Sequence, residues 1–329
     1  MSFGPLAVRG RAILAPMAGI TDLGMRRLAW RFGASLTVTE MVVGDYLARG
    51  DLASLARAAG DGGQPHVVQV AGCTPDSLAE AARIAEGCGA VAIDINMGCP
   101  AKRVTGGLAG SALMRDLDHA ARLVAATVAA VAVPVSVKMR LGWDETSLNA
   151  PALARRAEAE GARLITVHGR TRSQFYKGEA DWRAVAAVKR AVAVPVVVNG
   201  DCRSIVDART MLAASGADAV MIGRAALGRP WFVGQVAEGL ATGHCPPPPA
   251  ATARRETALE HYDAILSLFG MAKGVRHARK HLCAYGEEEE RLGPVPDGLR
   301  RRLAVTEDAG EVRRLLRELF VHDAVAEAA

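Results

Sequence analysis

Hydrophobic residues in the first 222 positions fall into short continuous runs, each followed by a turn signal and then by an amphipathic stretch. Runs that alternate with helical stretches in this way predict parallel strands buried on both faces. Eight occur, at residues 12–15, 35–39, 66–71, 91–95, 135–139, 164–167, 196–198 and 219–222. Eight strand and helix units predict an α/β protein with a (β/α)8 TIM barrel, and no GxGxxG follows any run to favour a doubly wound sheet.

The connection between the fourth and fifth predicted strands is the longest. Residues 96–111 contain Gly106 and Gly107, a composition typical of a mobile active-site loop rather than of a helix. Elsewhere helix starts are marked by N-cap residues: Thr74 precedes a proline, and Asp22 opens a helix that we expect to stop at Gly33.

The last part of the chain has a different pattern. From Arg254 onward apolar residues recur at helical spacing, first around residues 259–269 and again at 312–319. Cys245 and the four prolines at 246–249 precede this part and predict a stiff linker. We therefore expect a barrel domain over residues 1–245 and a small all-helical domain over residues 246–329.

Composition narrows the class of protein. Forty basic and 35 acidic residues leave a net charge of +5, which permits a polyanionic partner but does not require one. No uncharged stretch is long enough for a membrane span and no secretory leader is evident, so we expect a cytoplasmic protein. Six cysteines without metal-knuckle spacing predict free thiols and no metal site.

Residues that could bind a ligand or take part in catalysis follow the predicted strands. In a TIM barrel the loops after the strands form one rim that carries the active site. The polar or distinctive residues at these ends are Pro16, Met17, Ala18, Glu40, Gln69, Asn96, Cys99, Lys138, Arg140, His168, Asn199, Gly200, Asp201, Gly223 and Arg224. The last five follow strands seven and eight, where barrels commonly hold a phosphate, although the glycines also suit tight turns.

Lys138 ends a buried strand, where an unpaired ammonium is unfavourable. Three interpretations are open: a Schiff-base lysine, a cation beside a flavin ring, or an ion pair with Asp94 or Glu40 inside the barrel.

Several motifs carry a family resemblance. Residues 93–100 read IDINMGCP and are followed by Val104, Gly110 and Ser111, which resembles the signature of the tRNA-dihydrouridine synthases. Residues 168–182 resemble a second block of that family, and residues 15–19, 137–140, 198–201 and 221–224 extend the similarity over the barrel. It is closest to the bacterial B-type branch. In the helical part, residues 276–281 fit, whereas residues 287–290 and 294–296 depart from the family pattern.

The resemblance implies an FMN enzyme that NADPH reduces and that saturates the C5–C6 bond of a uracil in the tRNA D-loop. Hydride passes from flavin N5 to C6, and Cys99 supplies the proton to C5. The implied FMN contacts are Pro16, Met17 and Ala18 against the flavin, Gln69, Lys138 and His168 at its ring or ribityl chain, and Asn199, Gly200, Asp201, Gly223 and Arg224 at its phosphate. NADPH needs only transient access, which predicts ping-pong kinetics.

Cys99 by itself is typical of a small buried hydrophobe, and its neighbours Asn96 and Pro100 at a strand end favour the catalytic interpretation. Asn96 is also placed to bond the uracil edge. A tRNA base must leave its stack to reach the flavin, and basic residues would hold the backbone. The expected substrate contacts are Asn96, Lys102, Arg103, Arg140, Arg170, Arg172, Tyr176, Lys177, Lys273, Arg276, Arg279 and Lys280.

Three other functions remain open. An FMN barrel oxidoreductase of a small pyrimidine or an enone needs no RNA and no basic helix face. A lyase that uses Lys138 needs no flavin. An RNA-binding protein without catalysis needs only the basic residues, and the basic stripe at residues 273–280 is equally typical of a solvated helix face.

Overall fold

The computed structural model describes residues 1–60 and 62–320. The end of the expected helical domain, residues 321–329, lies outside the described residues. The chain opens with an antiparallel hairpin of β1 (Ser2–Phe3) and β2 (Leu6–Ala7). The strands that follow are β3 (Ala12–Leu14), β4 (Leu36–Thr37), β5 (Val42–Val43), β6 (Val67–Ala71), β7 (Ala92–Met97), β8 (Val135–Arg140), β9 (Leu164–His168), β10 (Val196–Asn199) and β11 (Ala219–Ile222).

These strands β3 to β11 form one parallel sheet in the order β4-β3-β11-β10-β9-β8-β7-β6-β5. A parallel bridge between Val38 and Val67 joins the β4 end to β6, so the sheet curls back on itself. The predicted TIM-barrel fold is confirmed, and each of the eight predicted runs contains a strand. The hairpin and β5 were not predicted, because these two-residue strands do not lie in a longer run of the kind that predicted β4 at residues 35–39.

Helices lie outside the sheet. They are α1 (Leu23–Arg31), α2 (Gly44–Ala48), α3 (Leu52–Ala58), α4 (Pro75–Gly87), α5 (Lys102–Thr105), α6 (Leu117–Ala130), α7 (Ala150–Ala159), α8 (Trp182–Lys189), α9 (Ile205–Ser215) and α10 (Phe232–Thr242). The predicted helix starts are confirmed: Asp22 caps α1 by accepting from the Met25 N–H at 2.9 Å, and Thr74 is the N-cap of α4. Within the described residues, no helix is long and apolar enough to span a membrane.

The insertion after β7 corrects one expectation. Instead of a loop without helix, it contains α5 and a 3-10 helix over Gly110–Arg115. The insertion also closes on itself, since the Cys99 carbonyl accepts from the Ser111 N–H at 3.1 Å and from the Ser111 hydroxyl at 2.9 Å. A Cβ on Gly110, whose φ is +61°, would lie 2.8 Å from the Cys99 oxygen, so this turn requires glycine. Helices this short lack the amphipathic repeat that a sequence pattern reveals.

Four helices follow the proline linker: α11 (Ala251–Phe269), α12 (Met271–Leu292), α13 (Leu299–Val305) and α14 (Ala309–Leu319). Their apolar faces form a cluster distinct from the two clusters of the barrel, one inside it and one between strands and helices. Trp231, which precedes the linker, also belongs to the helical cluster. We keep the division at residues 245 and 246 as a proposal, supported by the separate cluster.

Candidate functional site

A cavity of about 580 Å³ opens at the carboxyl ends of the strands. Every residue that we expected to bind the cofactor lines it: Pro16, Met17, Ala18, Gln69, Lys138, His168, Asn199, Gly200, Asp201, Gly223 and Arg224. Cys99, Asn96, Arg103, Arg140 and Tyr176 line the same cavity. The fold therefore brings these residues to one place from seven of the strand ends.

A series of hydrogen-bonded, buried polar side chains leads to the backbone of Cys99. The Asp94 carboxylate accepts from the Ser136 hydroxyl at 2.6 Å and from the Gln69 amide nitrogen at 2.7 Å. The Gln69 amide oxygen in turn accepts from Asn96 Nδ2 at 2.8 Å. Asn96 Oδ1 accepts from the backbone N–H of Cys99 at 2.9 Å. This hydrogen-bond network fixes the turn that carries the Cys99 thiol.

Asn96 lines the cavity, where the uracil contact was expected, and it also bonds the turn that carries Cys99. Its amide oxygen also accepts from the Gly98 N–H at 3.1 Å, so the oxygen holds two backbone groups of the turn while the nitrogen holds Gln69. These bonds make Asn96 a positioning residue for Cys99. Sequence reasoning missed the part played by Asp94 and Ser136; the alternation of Asp94 and Asn96 on one face of β7 was the available signal.

Lys138 places a cation in the cavity wall. Its ammonium donates to Asn199 Oδ1 at 3.1 Å, and Asn199 donates from Nδ2 to the Met221 carbonyl at 2.8 Å. Burial, followed by the charge of Arg140, lowers the pKa of Lys138 to about 8, against the attraction of Asp94. Its hydrogen bond goes to an amide rather than to either carboxylate considered above. Lys138 is therefore still mainly protonated at pH 7 and faces the cavity.

Two groups near Lys138 also have shifted pKa values. Burial raises the pKa of Asp94 to about 6, partly opposed by its bonds to Ser136 and Gln69. Burial and then the charge of Lys138 hold the pKa of His168 well below its ordinary value, so the imidazole is neutral at pH 7. Arg170 lies 3.3 Å from His168 Nε2, and because guanidinium only donates, Nε2 is the acceptor of the ring.

Asp201 and Arg224 form the far end of the cavity. Asp201 is a non-glycine residue at φ +57°, and its buried carboxylate pairs with Arg170 at 2.5 Å and with Arg224 at 3.3 Å. A Cβ on the preceding Gly200 would lie 2.7 Å from the Ala180 Cβ. The Asp201 carboxylate is thus paired with two guanidinium groups, while the Arg224 side chain is 59% exposed. Asp201 orients Arg224, and Arg224 is the group available to an anion.

Two of the expected basic substrate contacts are buried, as Asn96 is. Arg140 donates to the carbonyls of Gly98 at 2.8 Å, Thr171 at 2.8 Å and Phe175 at 2.9 Å. Arg170 binds Asp201 and donates to the Gly178 carbonyl at 2.6 Å. Arg140 joins the loop after β7 to the loop after β9. Arg170 joins the loop after β9 to Asp201 after β10, so both side chains brace the rim instead of facing solvent.

The other expected contacts divide into two groups. Arg172 stacks over Trp143 at 4.5 Å from the ring centroid, and Arg279 pairs with Glu307 at 3.3 Å. The exposed ones are Lys102, Arg103, Tyr176, Lys177, Lys273, Arg276 and Lys280. Tyr176 lies beneath the Arg140 and Arg224 guanidinium groups at 5.5 and 5.0 Å. An aromatic face therefore sits at the mouth of the cavity.

A larger cavity of about 840 Å³ adjoins the first and shares Ala18, Met41 and Arg103 with it. Lys280 and His277 of α12 line it, as do Arg49 and Arg57, which sequence reasoning did not select. A Cβ on Gly19 would lie 2.7 Å from Lys280 Nζ, so this lysine reaches the barrel rim. The helical part thus adds basic side chains beside the predicted chemistry.

Known solved structures share the architecture at low sequence identity. The 6-hydroxypseudooxynicotine amine oxidase of Pseudomonas geniculata N1 matches with a TM-score of 0.57 at 14% identity, over 73% of this chain and 49% of that one. Morphinone reductase in complex with tetrahydroNAD matches with a TM-score of 0.51 at 14% identity, over 77% and 92%. These likenesses concern the fold alone.

Sequence comparison finds relatives of much higher identity than these solved structures. A probable tRNA-dihydrouridine synthase of Rhizobium leguminosarum bv. phaseoli is 52% identical over 93% of this chain and 91% of its own length. The tRNA-dihydrouridine synthase B of Xanthomonas axonopodis pv. citri is 49% identical over 88% and 87%. The family model described as dihydrouridine synthase (Dus) matches residues 13–324. This chain therefore belongs to the dihydrouridine synthase family and is similar to its B-type bacterial members.

Proposed function

We propose that this protein reduces the C5–C6 double bond of a uridine in the tRNA D-loop, with FMN as bound cofactor and NADPH as reductant. The family match and the names of the relatives support the substrate. The observation that carries the proposal is the common cavity: a thiol, a cation and an exposed guanidinium line it together with every residue expected at the flavin.

The residues present fit FMN in size and chemistry. The cavity volume of about 580 Å³ lies within the range of small-molecule sites. Pro16, Met17 and Ala18 give it an apolar wall suited to a flat ring, and Arg224 offers its guanidinium to a phosphate. When bound, FMN would supply the hydride that reaches C6 of the uracil.

Lys138 would stabilise negative charge on the ring system, because its ammonium faces the cavity and is held there by Asn199. Neutral His168 would act as a hydrogen-bond partner and not as a second cation. Gln69 binds Asp94 with one amide proton and would have its second proton for the cofactor.

Cys99 would deliver the proton to C5. It lies on the cavity wall at partial exposure, and Asn96 and Ser111 bond the backbone on either side of its side chain. A fixed backbone and a partly accessible thiol suit proton donation to a bound base. No activating base is needed, since a thiol carries the proton that it donates.

The tRNA would meet the exposed basic residues around both cavities. Lys102, Arg103 and Lys177 lie on the loops after β7 and β9, and Lys280 reaches the same rim from α12. Tyr176 offers a stacking surface at the cavity mouth for an unstacked base. Arg140 and Arg170 would act indirectly, by holding these loops.

The test uses tRNA from cells that lack this protein, incubated with the purified protein, FMN and NADPH. We expect nucleoside mass spectrometry to show dihydrouridine with wild type and with Cys73→Ala, a cysteine of the adjoining cavity. Cys99→Ala should oxidise NADPH through the flavin at the wild-type rate yet form less than about 1% of the dihydrouridine, as loss of a positioned acid costs about 100-fold or more.

The outcomes separate the alternatives. Full turnover by Cys99→Ala would reject the proton-donor role. Reduction of free uridine or an enone, with no reduction of tRNA, would instead show the small-molecule oxidoreductase. Borohydride trapping of a carbonyl substrate on Lys138 in a protein without flavin would show the lyase.

A further inference from the structure

A cluster of imidazole and carboxylate side chains lies outside the flavin cavity, where α12 meets the start of α1. Asp22 is the N-cap of α1, and its side chain is 1% exposed; that of His281 is 2% exposed. His277, one turn earlier on α12, is half-buried. Asp22 Oδ2, His277 Nε2 and both ring nitrogens of His281 have no hydrogen-bond partner within the described part of the chain.

Unpaired buried polar atoms are rare in folded proteins, and several that face one another need an explanation. A direct ion pair does not supply it. The distance from His281 Nε2 to Asp22 Oδ2 is 3.9 Å, and from His261 Nε2 to Asp22 Oδ1 it is 3.7 Å. Both exceed hydrogen-bond length. The gap between these atoms instead leaves room for a small shared partner.

The geometry matches a bound cation. His277 and His281 are four residues apart on α12 and so share one face of the helix. One ligand atom of each, and a carboxylate oxygen of Asp22, lie within 4.8 Å of one another. Ligands about 2.1 Å from a tetrahedral zinc ion lie about 3.4 Å apart, so modest ring rotations would bring these three ligands to coordination distance and leave the fourth position to water.

The donor set selects the kind of cation. Imidazole nitrogens with one carboxylate suit zinc and neighbouring divalent transition metals, whereas magnesium and calcium prefer oxygen ligands throughout. His261 borders the cluster, and its Nδ1 lies 3.1 Å from the Tyr285 hydroxyl, an arrangement that orients the ring.

We propose that Asp22, His277 and His281 form a binding site for a divalent transition metal of the zinc class. The metal ties α12, which carries the exposed Lys273, Arg276 and Lys280, to the start of α1. The spacing of the cysteines predicted no metal site. That spacing cannot reveal ligands that the fold brings together from distant parts of the chain. This inference stands apart from the proposed function, and its test involves no tRNA.

The experiment titrates chelator-treated, tag-free full-length protein with Co²⁺ and Zn²⁺. We expect one metal per chain by elemental mass spectrometry, and intense visible absorption bands with cobalt. His277→Ala should weaken the Zn²⁺ affinity by at least the roughly 10–100-fold that loss of a residue supporting a ligand costs. The matched control is His244→Ala, an exposed histidine before the proline linker, which should bind as wild type.

A second variant covers the case in which His277→Ala does not fold. Asp22→Asn retains a side chain that caps α1 well but removes the anionic ligand, so its Zn²⁺ affinity should also fall. Substoichiometric metal in wild type would overturn the proposal. So would equal Zn²⁺ affinity in His244→Ala and in whichever of the two ligand variants is folded by circular dichroism.

Discussion

Asn96 provides the sharpest test of how the site is held. Replacing it by alanine removes the acceptor of the Gly98 and Cys99 N–H groups and leaves the buried Gln69 oxygen without its donor. Each lost bond is worth about 1 kcal/mol, and a buried unpaired acceptor costs about 1–3 kcal/mol. We therefore expect Asn96→Ala to lower the free energy of unfolding by about 3–5 kcal/mol in urea denaturation.

The same variant separates two roles for this amide. If Asn96 positions Cys99, displacement of the thiol by about 1 Å should lower kcat for tRNA reduction about 100-fold, with KM and NADPH-driven flavin reduction unchanged. If Asn96 instead binds the uracil in both ground and transition states, KM should rise while kcat stays. The second outcome would refute the positioning argument. Asn149→Ala, which removes a single 2.7 Å bond to the Met114 carbonyl outside the cavity, is the matched control and should cost about 1 kcal/mol.

Three further predictions follow from charged groups. Arg224→Ala should raise the FMN Kd about 10–100-fold through loss of a charge-assisted bond, whereas Arg203→Ala, at 71% exposure, should not; equal Kd values would reject the phosphate assignment. The Lys138 pKa of about 8 in the folded protein lies below the ordinary value of 10.5. Between these two pH values the unfolded chain therefore keeps a proton on Lys138 that the folded protein has lost. Stability of the ligand-free protein relative to Lys138→Met should therefore rise from pH 8 to 10, and a constant difference in urea denaturation would contradict this. Lys280→Ala should lower the slope of log K for tRNA against log salt by about one, with Arg155→Ala on the outer helix α7 as control; equal slopes would remove Lys280 from the tRNA surface.

The sequence predicted the architecture because parallel strands buried on both faces lie in apolar runs such as 196–198, even where the strand itself is short, as β4 is. It also placed the cavity residues, since the fold rule for strand ends applies without knowledge of any contact. The two-residue strand β5 and the four-residue helix α5 carry too few positions for a period to register.

Contacts between distant residues could not be predicted in this way. Arg140 and Arg170 are basic residues at the correct strand ends, which made them substrate candidates, but their partners in the structure are backbone carbonyls and, for Arg170, the Asp201 carboxylate, which no sequence pattern reveals. Asp22 and His281 come together only when the helical part packs on α1. The contacts of a charged residue therefore depend on its surroundings in the folded protein, which its identity in the sequence does not give.

The charged residues around the cavity influence one another's protonation. Lys138, Arg140, Arg170 and Arg224 all act on His168, and together with burial they keep it uncharged. Against these four cations the nearby carboxylates are Asp201, whose pKa the Arg170 hydrogen bond lowers against the effect of burial, and Asp94, which has a pKa of about 6. A surplus of positive charge remains on the cavity wall at neutral pH. An anionic ligand would remove that surplus, so ligand binding should shift the Lys138 pKa upward, an effect that Arg224→Ala should reduce by weakening the anion's hold.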